Sequence, residues 1–385
     1  MRILHVVKSI DPADGGPPAS VSGLAAAQAS LGCEVTILCH EIADRRKIVN
    51  QAVAQIPGFE RVNLSFVADY PGRRSTSQLA QAVRASNVVH LHGIWRPLLF
   101  QAAWEADRVG TNFVVAPRGM LAPWSLSQKR LKKQLGLLFG WKYILKRAAF
   151  LQALNADEAR QFDALRWLNR KIEVIPNGVF SEQFTDMDAV IQPHEIDPRL
   201  NTPYILFLGR LHYVKGLDVL ANAFALFAKN ESTTNLIVVG PDLGAKASFL
   251  RRIDTLGISN RVHTLGPIYG ARKQAVLAGA LCLCQPSRQE GFSMTITETM
   301  ASGVPVVITK SCHFPEVAEV GAGLVVDLSA EDIANALLHI VRDEANRKKS
   351  GELARQLVLS KFTWPTIAER SIKAYIAANS ADFRD

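Results

Sequence analysis

The sequence predicts an α/β protein made of two domains, each a doubly wound parallel sheet. Three observations carry this expectation. The chain has 385 residues, more than one core fills, since single cores stop growing near roughly 250 to 300 residues. Short runs rich in Val, Ile and Leu alternate with longer helical patterns in both halves, as in parallel strands covered by helices. Those runs are apolar throughout rather than alternating, which suits strands buried on both faces.

In the first half, strands are expected at RILHVV, EVTILC, VVHLHG, FVVAPR, FLQALN and KIEVIP. In the second, they are expected at YILFLG, NLIVVG, RVHTLG, LCLCQP, VPVVIT and GLVVDL. Between the halves, FSEQFTDMDAVIQPHEIDPRLNTP is polar, carries prolines and has no sustained period, so it reads as the linker. The expected domains are residues 1–185 and 195–363, with a final amphipathic helix over 364–380.

With 48% hydrophobic and 21% charged residues, the composition excludes a disordered chain. The amino terminus lacks a signal-peptide core and reads as a first strand. No apolar run reaches the roughly 18 to 20 residues that span a bilayer. The five cysteines show no CxxC or Cys/His ligand spacing, so neither a disulfide framework nor a zinc site is expected. Net charge is +9, and most of the surplus lies in residues 1–190. That surplus suits a phosphorylated substrate, an anionic lipid or a nucleic acid. No nucleic-acid motif is present, so no nucleic-acid partner is expected.

Four segments could carry chemistry. The strand YILFLG ends in Gly209 and Arg210, and Lys215 follows before a helical run. Two cations in a strand-to-helix turn can neutralise a diphosphate, although solvated loop cations give the same pattern. In QEGFSMTITE, Gly291, Phe292 and Ser293 open a helix whose free N–H groups favour an anion. Glu298 lies further along that helix, where its carboxylate can accept both hydroxyls of a ribose. Glu290 precedes the helix, and a cap neighbour and a surface charge would look alike in isolation. The glycine loop with Gly15 and Gly16 follows the first strand and lets backbone approach a ligand; it is not GxGxxG. His90 and His92, at strand spacing, project the same way at a strand's carboxyl end. No third ligand stands at a suitable spacing, so no metal is expected.

A fifth segment, Arg118 to Arg147, holds eight basic and no acidic residues with Trp, Leu and Phe interleaved. A basic amphipathic helix of this kind fits an anionic membrane surface and equally a solvated face over a core stripe. Its candidate acceptor or membrane residues are Arg118, Lys129, Arg130, Lys132 and Lys133.

Together these segments resemble glycosyltransferase family 4, whose members have the GT-B fold of two Rossmann-like domains facing each other across a cleft. The likeness runs from GGPPASVSGLA through HLHGIW, PRGMLAPWSL, VIPNGV, FLGRLHYVKGLDVL and VVGPDLG to EGFSMTITETMASGVPVV. It implies a retaining hexosyltransferase acting on a UDP- or GDP-sugar. Arg210 and Lys215 would hold the donor diphosphate, Glu298 the ribose and Glu290 the transferred sugar. The loop at Gly291, Phe292 and Ser293 would present amides, Gly16 would admit the donor, and His92 would stand near the acceptor. The final helix would cross back onto the first domain. Asn177 and Gly178 match the domain-junction motif, whereas the region of Asn155 departs from the hydroxyl-rich version.

The resemblance also implies same-face attack assisted by the departing phosphate, so no carboxylate nucleophile is required, and neither metal nor cofactor is expected. The expected acceptor is a saccharide or a polyprenyl- or lipid-linked saccharide in surface-polysaccharide assembly (exopolysaccharide, O-antigen or lipopolysaccharide). The expected location is cytoplasmic, peripheral on the inner face of the membrane. A sugar-nucleotide epimerase of the same fold and a non-catalytic membrane-surface protein remain as alternatives.

Overall fold

The computed structural model describes residues 1–41, 43–68, 72–165, 167–168, 171–184 and 191–380. The chain divides into two units, Met1–Phe180 with Trp364–Asp385, and Ser181–Thr363. Of the expected linker, 185–190 lie outside the described residues. The described part folds into single turns at Ser181–Phe184, Pro193–Ile196 and Pro198–Asn201.

The first unit holds seven parallel strands: β1 (Arg2–Val7), β2 (Glu34–His40), β3 (Asn63–Val67), β4 (Val88–His92), β5 (Asn112–Ala116), β6 (Phe150–Ala153) and β7 (Ile172–Val174). Their order is β3-β2-β1-β4-β5-β6-β7. The second unit holds six: β8 (Tyr204–Leu208), β9 (Asn235–Val239), β10 (Val262–Leu265), β11 (Cys282–Gln285), β12 (Val306–Thr309) and β13 (Gly323–Val326). Their order is β10-β9-β8-β11-β12-β13. Both orders reverse direction once, between β1 and β4 and between β8 and β11, and ligands of such sheets bind beyond the carboxyl ends at that reversal.

Twelve of the thirteen strands fall on the expected runs; β3 does not. Its sequence, NLSFV, carries Asn and Ser, is mostly half-buried and lies at the sheet edge. A strand packed on one flank only needs no continuous apolar run. In the first unit Leu4, Val6, Leu38, Val89, Leu91 and Val115 are fully buried. Ile205, Phe207, Leu236, Val238, Cys282 and Cys284 play the same part in the second.

The segment expected as one basic helix is broken. It forms helices at Pro123–Ser127, Arg130–Gly136 and Lys142–Arg147, with a π-helical turn at Leu137–Trp141. The break centres on Gly140, whose φ of 126° only glycine adopts readily. A side chain there would also meet the Phe100 ring at 2.7 Å.

The helix Trp364–Ser380 packs in the first unit, against the helix Gly16–Ser30. Small residues make that approach possible: a Cβ at Gly23 would lie 2.4 Å from Trp364 Nε1. The Trp364 N–H donates to the Val179 carbonyl at 2.8 Å, and Asn112 Nδ2 donates to Ala378 O at 3.2 Å. Gly23→Val should therefore destabilise the first unit by about 1–3 kcal/mol, as overpacking does, lowering the calorimetric midpoint.

Three buried histidines also bind stability to pH. Burial is the main cause of the lowering at each: His5 falls to about 4, and His90 and His92 fall well below the usual value. For His5 the folded-state value lies below the unfolded one near 6.5, so folding favours the neutral ring. Its contribution is complete above about pH 6.5 and is lost as pH falls towards 4. For His5 alone this is about 3 kcal/mol. Urea unfolding across pH 7 to 4.5 should show stability declining throughout, and His5→Gln should flatten the slope.

Candidate functional site

In the second unit the candidate donor residues gather at the carboxyl ends of β8 and β11. Gly209 extends β8, its N–H donating to Val239 O at 2.9 Å. Arg210 follows and is exposed. The chain then makes the tight turn Tyr213–Lys215 and passes through Gly216, φ 70°. A Cβ at Gly216 would meet the Pro286 carbonyl oxygen at 1.9 Å, so glycine brings the Lys215 turn onto the loop after β11.

That loop receives it with specific contacts. Arg288 N–H donates to Val214 O at 2.7 Å. The Arg288 guanidinium makes a bidentate pair with Asp218 at 2.8 and 2.7 Å and stacks over the Tyr213 ring 4.1 Å from its centroid. Such a fork is geometrically selective. The pair holds the Asp218 carboxyl below the usual carboxylate range.

Lys215 Nζ ion-pairs with Glu290 Oε1, and both side chains are largely buried. Ser287 Oγ donates to the same carboxylate at 2.7 Å, and the Glu290 N–H is held by Ser311 O at 3.0 Å. Glu290 is therefore fixed by its neighbours rather than waving before the helix. Burial in company is what such a pair requires, since either charge alone would be costly.

Ser293 caps the helix Met294–Ala301, accepting from the Ile296 N–H at 3.4 Å. Gly291 and Ser293 thus lie at the helix start as expected. The Phe292 ring joins Phe314 and Phe362, with centroids 5.5 and 6.0 Å away, so its side chain packs as structure. Glu298, on the same helix, accepts from Lys273 Nζ at 2.8 Å. The structure joins Lys215 to Glu290 and gives Glu298 a separate partner.

In the first unit the candidates stand at the carboxyl ends of β1, β4 and β5. Gly15 takes the positive φ, 90°, and Gly16 starts the helix behind it. A Cβ at Gly16 would meet nothing within 4 Å. His92 ends β4, and both ring nitrogens are engaged: Nδ1 with Arg118 at 2.9 Å and Nε2 with His5 Nδ1 at 2.8 Å. His5 Nε2 meets Gln28 Oε1 at 2.7 Å, and His90 Nδ1 meets the Tyr375 hydroxyl at 2.7 Å. Asn155 caps the helix Ala156–Ala164, and Asn177 reaches Arg118 at 3.4 Å.

The missing third imidazole of the histidine pair is His5: the three rings offer nitrogen atoms within 4.8 Å of one another, the one such group among the described residues that could hold a metal. It comes from a different strand, which spacing cannot reveal.

Arg118 separates from the basic group expected around it. It follows β5 and donates to Ser20 Oγ at 2.8 Å, Asn177 and His92. Lys129, Arg130 and Lys132 are exposed, whereas Lys133 folds back onto the Ser125 carbonyl and hydroxyl. Sequence reasoning missed His5, Gln28, Asp218, Lys273, Ser287 and Arg288. Of these His5 left a signal, a polar residue inside the apolar run RILHVV.

The chain is similar to known proteins over both units. The Glycosyl transferase 4-like domain profile matches residues 15–178, and the Glycosyl transferases group 1 profile matches residues 191–357. A D-inositol 3-phosphate glycosyltransferase of Nocardia farcinica is 30% identical over 62% of this chain and 55% of its own length. A GDP-mannose-dependent monoacylated alpha-(1-6)-phosphatidylinositol monomannoside mannosyltransferase of Corynebacterium glutamicum is 25% identical over 78% of this chain and 79% of its own. The chain spans about half the length of the first of these relatives. The structure of Anabaena HepE in complex with UDP and glucose superposes with a TM-score of 0.77 at 19% identity, covering 98% of this chain and 100% of that one. With both profiles seated on its two Rossmann-like sheets, the chain belongs to glycosyltransferase family 4 and has the GT-B fold.

Proposed function

We propose that the protein is a retaining glycosyltransferase that moves a hexosyl unit from a UDP- or GDP-sugar to a saccharide or lipid-linked saccharide acceptor. The observation that carries this reading is the Lys215–Glu290 pair at the carboxyl end of β11, joined to a turn that only Gly216 can bring so close. When the bond from the sugar C1 to the phosphate oxygen breaks, the leaving diphosphate gains negative charge. Arg210, Lys215 and the N–H groups at Gly291 to Ser293 are the groups to receive it, and fixed donors of this kind stabilise the transition state more than the ground state.

Glu290, held by Lys215 and Ser287, takes the hydroxyls of the transferred sugar, and Glu298, steadied by Lys273, takes the ribose. The acceptor oxygen forms the new bond to C1 on the face the phosphate leaves, and its proton passes to the departing phosphate. In this scheme the cationic groups do the work of neutralisation, and no metal is assigned to it.

The setting we propose is assembly of a surface polysaccharide at the inner face of the cytoplasmic membrane. Leu131, Leu138 and Phe139 are 76%, 78% and 79% exposed, and Leu135 is 51% exposed, all within the helix Arg130–Gly136 and the π-helical turn Leu137–Trp141. Lys129, Arg130 and Lys132 lie among them. Apolar side chains entering the interface beside cations that meet anionic headgroups is how peripheral helices bind. The Corynebacterium relative, whose name specifies a glycolipid acceptor, supports the same reading. No helix among the described residues is long and apolar enough to cross a membrane.

Three outcomes are expected. Lys215→Ala should reduce transfer by about 10²–10³-fold, the scale of removing one oxyanion donor, and Glu298→Ala should abolish most turnover. Both variants should keep the wild-type circular dichroism spectrum. Near-normal formation of glycosylated product by both, or an epimerised nucleotide in its place, would sink the assignment. Leu138→Glu with Phe139→Glu should cut cosedimentation with phosphatidylglycerol vesicles at least tenfold while leaving the melting temperature unchanged.

A further inference from the structure

Among the described residues Arg118 makes no direct hydrogen bond or ion pair with a carboxylate. Its three acceptors are a hydroxyl, an amide and an imidazole, and its Nε–H is buried without a partner. Glu158 acts on it through its field but directs its oxygens to the N–H groups of Gly119 and Leu154. Burial holds the guanidinium down to about 10. Arg118 also sits at φ 54°, a conformation that costs a non-glycine residue and gathers at functional sites.

The hydrogen bonds behind it run in one direction. A guanidinium only donates, so His92 Nδ1 must accept, and the neutral His92 ring carries its proton on Nε2. That proton is donated to His5 Nδ1, which places the His5 proton on Nε2, facing Gln28 Oε1. The Gln28 amide then donates to Ser371 Oγ at 2.8 Å and to the Tyr375 hydroxyl at 3.4 Å. Ser371 passes its proton to Ala368 O at 2.7 Å, and Tyr375 donates to His90 Nδ1. His90 therefore carries Nε2–H, which is buried without a hydrogen-bond partner. Up to that last N–H each donor in the chain meets an acceptor, and one donor-only residue, Arg118, sets the direction of the run.

We propose that Arg118 is an anion-binding residue at the carboxyl edge of the first sheet, positioned by this one-way chain, and that its ligand is a phosphate ester on the acceptor. The assignment to the acceptor rests on the transferase reading; the anion site does not. His92 is then a positioning residue, with both ring nitrogens spent inside the protein, and Arg118 is the polar group offered to the ligand. The same chain argues against a metal on the three imidazoles. Ligation through His92 Nε2 would move its proton to Nδ1, against the Arg118 N–H.

The test uses the full chain in a Lys215→Ala background, which removes the pairing cation of the second unit. Calorimetric titration with inorganic pyrophosphate and with geranyl diphosphate should show binding of both. Arg118→Gln should weaken each at least tenfold, and Arg118→Lys should restore part. His92→Ala should weaken binding severalfold, with His92→Asn, which can still accept from Arg118, recovering some of it. Imidazole ¹⁵N spectra should show His92 protonated at Nε2 and not at Nδ1 between pH 6 and 8, with the Nδ1 signal shifting as pyrophosphate is added. Tighter binding of geranyl diphosphate indicates a lipid-linked acceptor and equal binding a water-soluble phosphate ester; either sustains the site. Unchanged affinity in Arg118→Gln, a His92 signal that ignores pyrophosphate, or a proton on His92 Nδ1 overturns it. If Arg118→Gln fails to fold, the ring spectra decide alone. None of these readouts depends on sugar transfer.

Discussion

A parallel sheet covered by helices on both faces leaves its polar groups very few places to emerge. Its strands must be apolar along their length, their backbone groups are spent on one another, and the helices close both surfaces. What remains is the row of loops at the carboxyl ends. Every candidate in this protein's two units obeys that restriction: Gly16, His92 and Arg118 after β1, β4 and β5, and Arg210, Lys215, Glu290 and Glu298 on the segments that follow β8 and β11. The fold concentrates charge where it can be used because it allows little elsewhere.

The two units manage that charge in opposite ways. In the second, cations are matched by carboxylates: Lys215 with Glu290, Lys273 with Glu298, and Arg288 with Asp218. Pairing lets these side chains sit partly buried without the penalty of an isolated ion, and it fixes the rotamers that a ligand must meet. In the first, Arg118 is held by neutral acceptors. The three histidines behind it are kept neutral by burial, so they add hydrogen bonds without adding charge. In one unit the cations meet carboxylates directly; in the other Arg118 is hydrogen-bonded to neutral groups, and the Glu158 carboxylate acts on it only through its field.

The helix Trp364–Ser380 binds this arrangement to the end of the chain. Ser371 and Tyr375 receive the Gln28 amide, and Tyr375 reaches His90. Gly23 leaves the room that Trp364 fills. Residues far along the sequence therefore receive the end of the hydrogen-bond run that starts at Arg118 and His92.

Twelve strands were legible because a strand buried on both faces must announce itself as an unbroken apolar run, whereas β3 escaped because an edge strand need not. The glutamate pair, Arg210, Lys215 and His92 were legible because each stands beside a glycine or a strand end that marks a carboxyl-edge loop. The continuous basic helix was not legible as broken, because the φ of Gly140 and the nearness of Phe100 are facts of packing. His5, Gln28, Lys273 and Arg288 lie on other elements from the residues they touch, and no spacing rule connects them. The sequence by itself determined the two sheets, the loops that bear chemistry and the family, since these follow from local pattern. Only the tertiary structure decided who pairs with whom: Lys215 with Glu290, Lys273 with Glu298, and Arg118 with the neutral groups of Ser20, Asn177 and His92. Hydrogen bonds and ion pairs act over about 3 Å of space, and the chain brings those partners together from positions up to hundreds of residues apart.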